Sequence, residues 1–216
     1  MYGSLLVVAH RAEDRPEGTR QARRSRPNRP APWKTRDQPL VAEADNQGEV
    51  EVLPHGHPDP KWMKEAIRVA KESRDRGDYA FGAVLVRDGK IVTASGNKVI
   101  TYRDPTGHAE LNCLRKAAMR EGHRHLKPGA ILYTTHAPCP MCLAACVWTK
   151  VSGLGYGAYQ RDIRAWAKEH AGPTYTWRSV SVEPEEMYRQ FLWEAHPDLE
   201  ILGGFLADEC RELFHD

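Results

Sequence analysis

Phe81-Gly82-Ala83-Val84-Leu85-Val86-Arg87-Asp88-Gly89-Lys90-Ile91-Val92-Thr93-Ala94 is the stretch from which the fold unrolls. Two short apolar runs rich in β-branched residues flank Asp88-Gly89, the pair best suited to a two-residue turn with positive φ at both positions, so the segment reads as a β-hairpin. Upstream, Asp59-Pro60 is a cap and first turn for a helix that places Trp62, Met63, Ala66, Ile67 and Ala70 on one apolar face. Downstream, Thr106 is a cap for a helix from about Gly107 to Arg120, followed by a strand at 130–134, a loop entering a helix from Pro138 to Trp148, and a strand at 151–156. Helical segments at 162–170, 183–195 and 206–214 and a short strand at 199–202 complete the chain. Helices alternating with strands after an opening hairpin predict an α/β fold: a mixed five-stranded sheet with helices on both faces, hence three layers.

Two short motifs within that order carry chemistry. His108-Ala109-Glu110 opens one predicted helix, and Pro138-Cys139-Pro140-Met141-Cys142 opens another. Strand ends followed by helix starts are where α/β folds collect ligands. Cys139 and Cys142 are three residues apart, so one helical turn puts both sulfurs on the same side. With His108 they make three ligands of the kind zinc takes, which leaves one of four positions for water; a structural zinc site normally fills all four. Glu110, in the first turn beside His108, is the candidate general acid and base. Two other readings of the Cys pair stay open on the sequence alone: a redox pair or half a zinc ribbon, and a structural site closed by His136.

Composition bounds the rest. The chain has 216 residues, 41% hydrophobic and 28% charged, with no apolar run long enough for a membrane helix. Met1 to Ala9 is too short and lacks the basic start of a signal peptide, so the cytoplasm is the default location. Residues 1–40 carry nine Lys/Arg and four Asp/Glu of the 31 and 29 in the chain, which leaves 22 and 25 for the remainder. Residues 1–58 therefore read as a disordered Pro/Arg-rich leader and 59–216 as the folded domain, whose slight acidity argues against a nucleic-acid partner. His55 and His57 read as solvated loop residues. Cys113, Cys146 and Cys210 are an odd remainder that reads as buried free thiols rather than a disulfide framework.

From about Trp62 to Phe214 the chain resembles the cytidine deaminase-like superfamily, and within it the branch of guanine deaminases, tRNA adenosine deaminases and bacterial nucleoside deaminases. The resemblance rests on the two metal motifs, on Phe-Gly-Ala-Val-Leu-Val at 81–86, Gly96-Asn97, Asp104-Pro105-Thr106-Gly107 and Leu132-Tyr133-Thr134-Thr135. It implies a catalytic Zn2+ held by His108, Cys139 and Cys142, proton transfer by Glu110, a small-molecule nucleobase or nucleoside as substrate, and a homodimer. It further implies that Asn97 contacts the ring or sugar, that the Ala109 backbone amide meets a ring carbonyl or nitrogen, that Phe81 walls the pocket, and that Asp162 helps hold the base. The chain departs from its purine-deaminating relatives at Ala137, where those have Glu before the Pro. Aromatic residues 166, 175, 177, 188 and 193 are candidates for a substrate lid or a dimer contact.

Overall fold

The computed structural model describes residues 41–43, 58–170, 180 and 182–214. In chain order, the strands are β1 (Val41–Glu43), β2 (Gly82–Arg87), β3 (Lys90–Gly96), β4 (Ile131–His136), β5 (Gly153–Ala158) and β6 (Glu200–Gly203). The α-helices are α1 (Pro60–Asp75), α2 (Val99–Tyr102), α3 (Ala109–Glu121), α4 (Pro140–Thr149), α5 (Gln160–Glu169), α6 (Pro184–Met187) and α7 (Ala207–Arg211). The sheet order is β1-β6-β5-β4-β2-β3. β2 pairs antiparallel with β3 and β4, whereas β4–β5, β5–β6 and β1–β6 are parallel. The mixed five-strand arrangement expected from the sequence is β2 to β6. The added edge strand β1 falls inside the stretch read as a leader.

The hairpin forms as its turn chemistry requires, with φ of 51° at Asp88 and 66° at Gly89. Its register slips once between Leu85 and Val86, a bulge that sharpens local twist. Along β2 the side chains divide by parity. Ala83 and Leu85 join Leu114, Leu132, Leu143 and Leu154 in the core under α3 and α4; Val84 and Val86 join Met63, Tyr133, Leu202 and Phe205 in the core under α1 and α7. Burying a Leu side chain contributes about 1.5–3 kcal/mol, so both faces of β2 and β4 hold the layers together.

Asp59 does cap α1, its carboxylate accepting from the Lys61 N–H at 3.0 Å with Pro60 in the first turn. α1 lies so close to β2 that a Cβ on Gly82 would sit 2.0 Å from the Ala66 carbonyl oxygen. The expected cap of α3 is corrected: Thr106 turns back to Asp104, accepting no role at the helix, and the capping position falls to His108. Helical character across 183–195 is present in three pieces, α6, a π-turn at Tyr188–Leu192 and a 3-10 turn at Trp193–Ala195. Among the described residues no helix is long and apolar enough to cross a membrane.

Candidate active site

Both motifs stand at helix starts that open toward one another. His108 is the capping residue of α3 and Cys139 that of α4, with extended backbone at each, and Cys142 lies in the first turn of α4. Cys139 Sγ is 3.7 Å and Cys142 Sγ 3.5 Å from His108 Nδ1, and the two sulfurs are 3.6 Å apart. A tetrahedron with zinc–sulfur bonds of about 2.3 Å and zinc–nitrogen bonds of about 2.0–2.1 Å has edges of about 3.8 Å between sulfurs and about 3.6 Å from sulfur to nitrogen. The three donor atoms therefore fit zinc by both chemistry and spacing.

No fourth His, Cys, Asp or Glu ligand atom joins that trio among the described residues. His136, the one sequence candidate for closing the site, packs elsewhere: its Nδ1 meets Thr135 Oγ1 at 3.1 Å and its ring lies 4.5 Å from Phe81 and 4.4 Å from Phe214. Burial pushes the His136 imidazole down to about 3, so it is neutral.

Glu110 is buried in the first turn of α3, within hydrogen-bonding reach of Cys142. Desolvation first, and then the neighbouring Cys139 thiolate, push its carboxyl up to about 7. Cys139 goes the other way, to about 4, because Cys142 and His108 donate toward its sulfur, while Cys142 is raised by that same bond and by burial. His108 is raised mainly by its bond to Cys139. A cation at the trio favours thiolate at both cysteines.

The other expected site residues are distributed as follows. Asn97 is buried at the end of β3, its N–H donating to the Phe81 carbonyl at 2.9 Å and its Oδ1 accepting from the Val99 N–H at 2.9 Å. Ala109 is the first residue of α3, a position whose N–H has no partner within the helix. Phe81 lines an apolar cavity of about 100 Å³ with Tyr79, Ala80, Ile163, Trp166, Leu213 and Phe214. Asp162 is engaged locally: its Oδ2 accepts from the Tyr159 N–H at 2.8 Å, closing the start of α5, and pairs with Arg211 at 3.4 Å. Cys113, Cys146 and Cys210 are buried free thiols. Tyr188 belongs to the core and donates to the His196 carbonyl at 2.6 Å. His55, His57, Tyr175, Trp177 and most of the leader lie outside the described residues.

Three polar groups around β5 and the start of α5 carried no signal in the sequence. Gln160 reaches back from α5 to the Ala137 carbonyl at 2.6 Å. Glu183 accepts from the Gln160 and Arg161 N–H groups at 3.3 and 3.1 Å, and Glu185 accepts from the Tyr156 hydroxyl at 2.5 Å. All four contacts cross 20 or more residues of chain, and no local pattern announces them.

Residues 57–158 match the profile of the cytidine and deoxycytidylate deaminase zinc-binding region. A tRNA-specific adenosine deaminase of Agrobacterium fabrum is 35% identical over 147 residues, covering 63% of this chain and 95% of that protein. A guanine deaminase of Bacillus subtilis is 41% identical over 102 residues, 47% of this chain and 65% of that one. The chain spans only 12% of a chloroplastic tRNA(adenine(34)) deaminase of Arabidopsis thaliana, to which it is 34% identical over 161 residues, or 71% of this chain. Among solved structures, one from a study of tRNA:A34 deaminases superposes with a TM-score of 0.57 at 30% identity, over 72% of this chain and 99% of that one.

Proposed function

Because the chain belongs to the zinc-binding cytidine and deoxycytidylate deaminase family, and so is a hydrolytic nucleobase or nucleoside deaminase, we propose that its substrate is an aminated purine base or nucleoside, guanine-type in preference. The observation that carries the chemistry is the buried Glu110 beside the His108–Cys139–Cys142 trio. Zinc, when bound, supplies the Lewis acidity that makes water a nucleophile near neutral pH. Glu110 takes a proton from the attacking water and gives it to the ring nitrogen, then takes the remaining proton from the newly added hydroxyl and gives it to the leaving amine. The carbon–nitrogen bond breaks, a carbonyl replaces the amine, and ammonia departs.

Asn97, with Oδ1 already accepting from Val99, turns its Nδ2 group to donate to a ring nitrogen or carbonyl. Ala109 offers its N–H to the same ring edge, and Phe81 forms the apolar wall. A purine is the ring shared by the adenosine- and guanine-deaminating relatives. The preference for a small guanine-type substrate rests on charge: residues 41–216 hold 22 Lys/Arg against 25 Asp/Glu, little for a polyanion to bind. A second reading, adenosine within tRNA, is favoured by the nearly full-length match to a tRNA-specific relative.

The same proposal takes 59–216 as the deaminase domain, the cytoplasm as its location, and a homodimer as its assembly. Exposed Met141 and Trp148 on α4 and Met119 on α3 are the apolar side chains such an interface would cover. Ammonia release across guanine, guanosine, adenine, adenosine, cytosine, cytidine, their monophosphates and an anticodon stem-loop decides the substrate. Turnover of guanine or guanosine alone supports the first reading. Turnover confined to the stem-loop, weakening with salt, establishes the second, and turnover of cytosine or cytidine alone overturns both.

A further inference from the structure

The backbone between β4 and α4, which presents Cys139, has few means of holding itself. Pro138 and Pro140 flank that cysteine and have no N–H to donate. Ala137, immediately before them, has both backbone groups engaged. Its N–H donates to the Ala158 carbonyl at 2.7 Å, and its carbonyl accepts from Gln160 Nε2 at 2.6 Å. Both partners come from the junction of β5 and α5, so one short segment clamps the metal loop from the side.

Gln160 is itself well fixed. It is buried, its own N–H donates to Glu183 Oε2 at 3.3 Å, and the next N–H, of Arg161, donates to Glu183 Oε1 at 3.1 Å. A carbonyl accepts only from a donor, so the amide must present its nitrogen to Ala137. Ala137 has no polar side chain of its own with which to tie the loop down, so the hold falls to the Gln160 amide.

We propose that Gln160 is a positioning residue for the zinc ligands: through the Ala137 carbonyl it sets the loop that places the Cys139 sulfur in register with Cys142 and His108. The inference rests on the zinc assignment but not on which ring is deaminated. Groups that orient ligands without touching the metal typically change its affinity 10- to 100-fold when removed.

The test is zinc affinity by chelator competition on folded Gln160→Met protein, together with the visible ligand-field spectrum of the cobalt(II)-substituted form. Methionine keeps the length and loses the donor. Zinc binding weakened roughly 10- to 100-fold, with altered cobalt bands, supports the proposal. Wild-type affinity and an unchanged spectrum overturn it, whatever happens to the unfolding midpoint. Should Gln160→Met not yield folded protein, Gln160→Asn, an amide one methylene too short to reach, reads the same quantities. Loss of at least about tenfold in zinc affinity is expected, and an unchanged affinity overturns the proposal. Failure of the purine panel in zinc-loaded wild type would instead strike the substrate assignment and leave these comparisons intact.

Discussion

His108 Nδ1 and Cys139 Sγ stand 3.7 Å apart although 31 residues separate them in the chain. The sheet creates that meeting, because α3 and α4 both pack on the face of β2 and β4 that buries Leu85 and Leu132. Glu110 shares the first turn of α3 with His108 but contributes no ligand atom to the trio, so metal binding and proton transfer are separable by mutation. Cys142→Ala or His108→Ala is expected to abolish stoichiometric zinc and all turnover. Glu110→Gln is expected to keep full zinc content and lose about 10²- to 10⁴-fold in kcat. Metal analysis and ammonia release on the same preparations check this; zinc lost along with turnover in Glu110→Gln would make Glu110 part of the metal site's support.

His136 gives the protein an acid-sensitive core. Its imidazole is buried between Phe81 and Phe214 and lies at about 3, against an ordinary 6.5 in the unfolded chain. The unfolded state therefore takes up a proton that the folded state refuses. The stability this buried neutral ring allows is present above about pH 6.5 and is lost as pH falls from there toward 3. At pH 5 the loss is about 2 kcal/mol relative to pH 7. His136→Leu should remove this component, so its urea midpoint falls less between pH 7 and 5 than that of wild type. Parallel pH dependences in the two proteins would show that His136 is protonated in the fold.

Local signals in the sequence carried the hairpin, the start of α1 and both helix openings, because each is decided by a few adjacent residues. Asp88-Gly89 needed only its own φ preferences, and Asp59-Pro60 only the unpaired N–H groups of the first turn. The pairing of Cys139 with Cys142 was legible for the same reason, since spacing on one helical turn fixes which side chains share a side, whereas the approach of His108 to that pair is made by the sheet. What stayed hidden is non-local. β1 is three residues long and exists through its pairing with β6; no alternation is visible over so short a span. α2 is held by Asp78, which accepts from the Ile100 and Thr101 N–H groups from more than 20 residues away. Asp104 takes Thr106 from the helix it was expected to cap, a competition between side chain and helix that propensity does not rank. Gln160 is invisible to any motif, because its partner is a backbone carbonyl.

The contact between α1 and β2 makes Gly82 a position where even one methyl group has no room. An added Cβ would meet the Ala66 carbonyl oxygen at 2.0 Å and the Ala70 nitrogen at 2.7 Å. Both are backbone atoms of a helix and cannot swing aside. Gly82→Ala should push α1 off the sheet and destabilise the fold by about 1–3 kcal/mol or more. Gly89→Ala offers a contrast: an added Cβ there meets nothing within 4 Å, but φ is 66°, so its cost is conformational and should be near 1 kcal/mol. Denaturant midpoints of the two variants should rank Gly82→Ala as the more damaging. The reverse order would mean that α1 is free to shift at little cost.

Trp166 tests whether the apolar cavity beside Phe81 belongs to the substrate. It lines that cavity with Phe81 and Phe214, its ring 6.3 Å from that of Phe214 and stacked at 4.4 Å on His170. Trp177, expected from the sequence to share the role, lies outside the described residues. Aromatic pairs contribute about 0.5–1.5 kcal/mol beyond area burial. If the substrate ring or its sugar enters the cavity and stacks equally in ground and transition states, Trp166→Ala should raise KM roughly 2- to 13-fold at unchanged kcat. A packing residue behaves otherwise: the same substitution leaves KM alone and lowers only the unfolding midpoint. Steady-state kinetics on the preferred substrate, set beside a urea titration of the same protein, separates the two, and an unchanged KM would return Trp166 to the apolar wall it shares with Ile163 and Phe214.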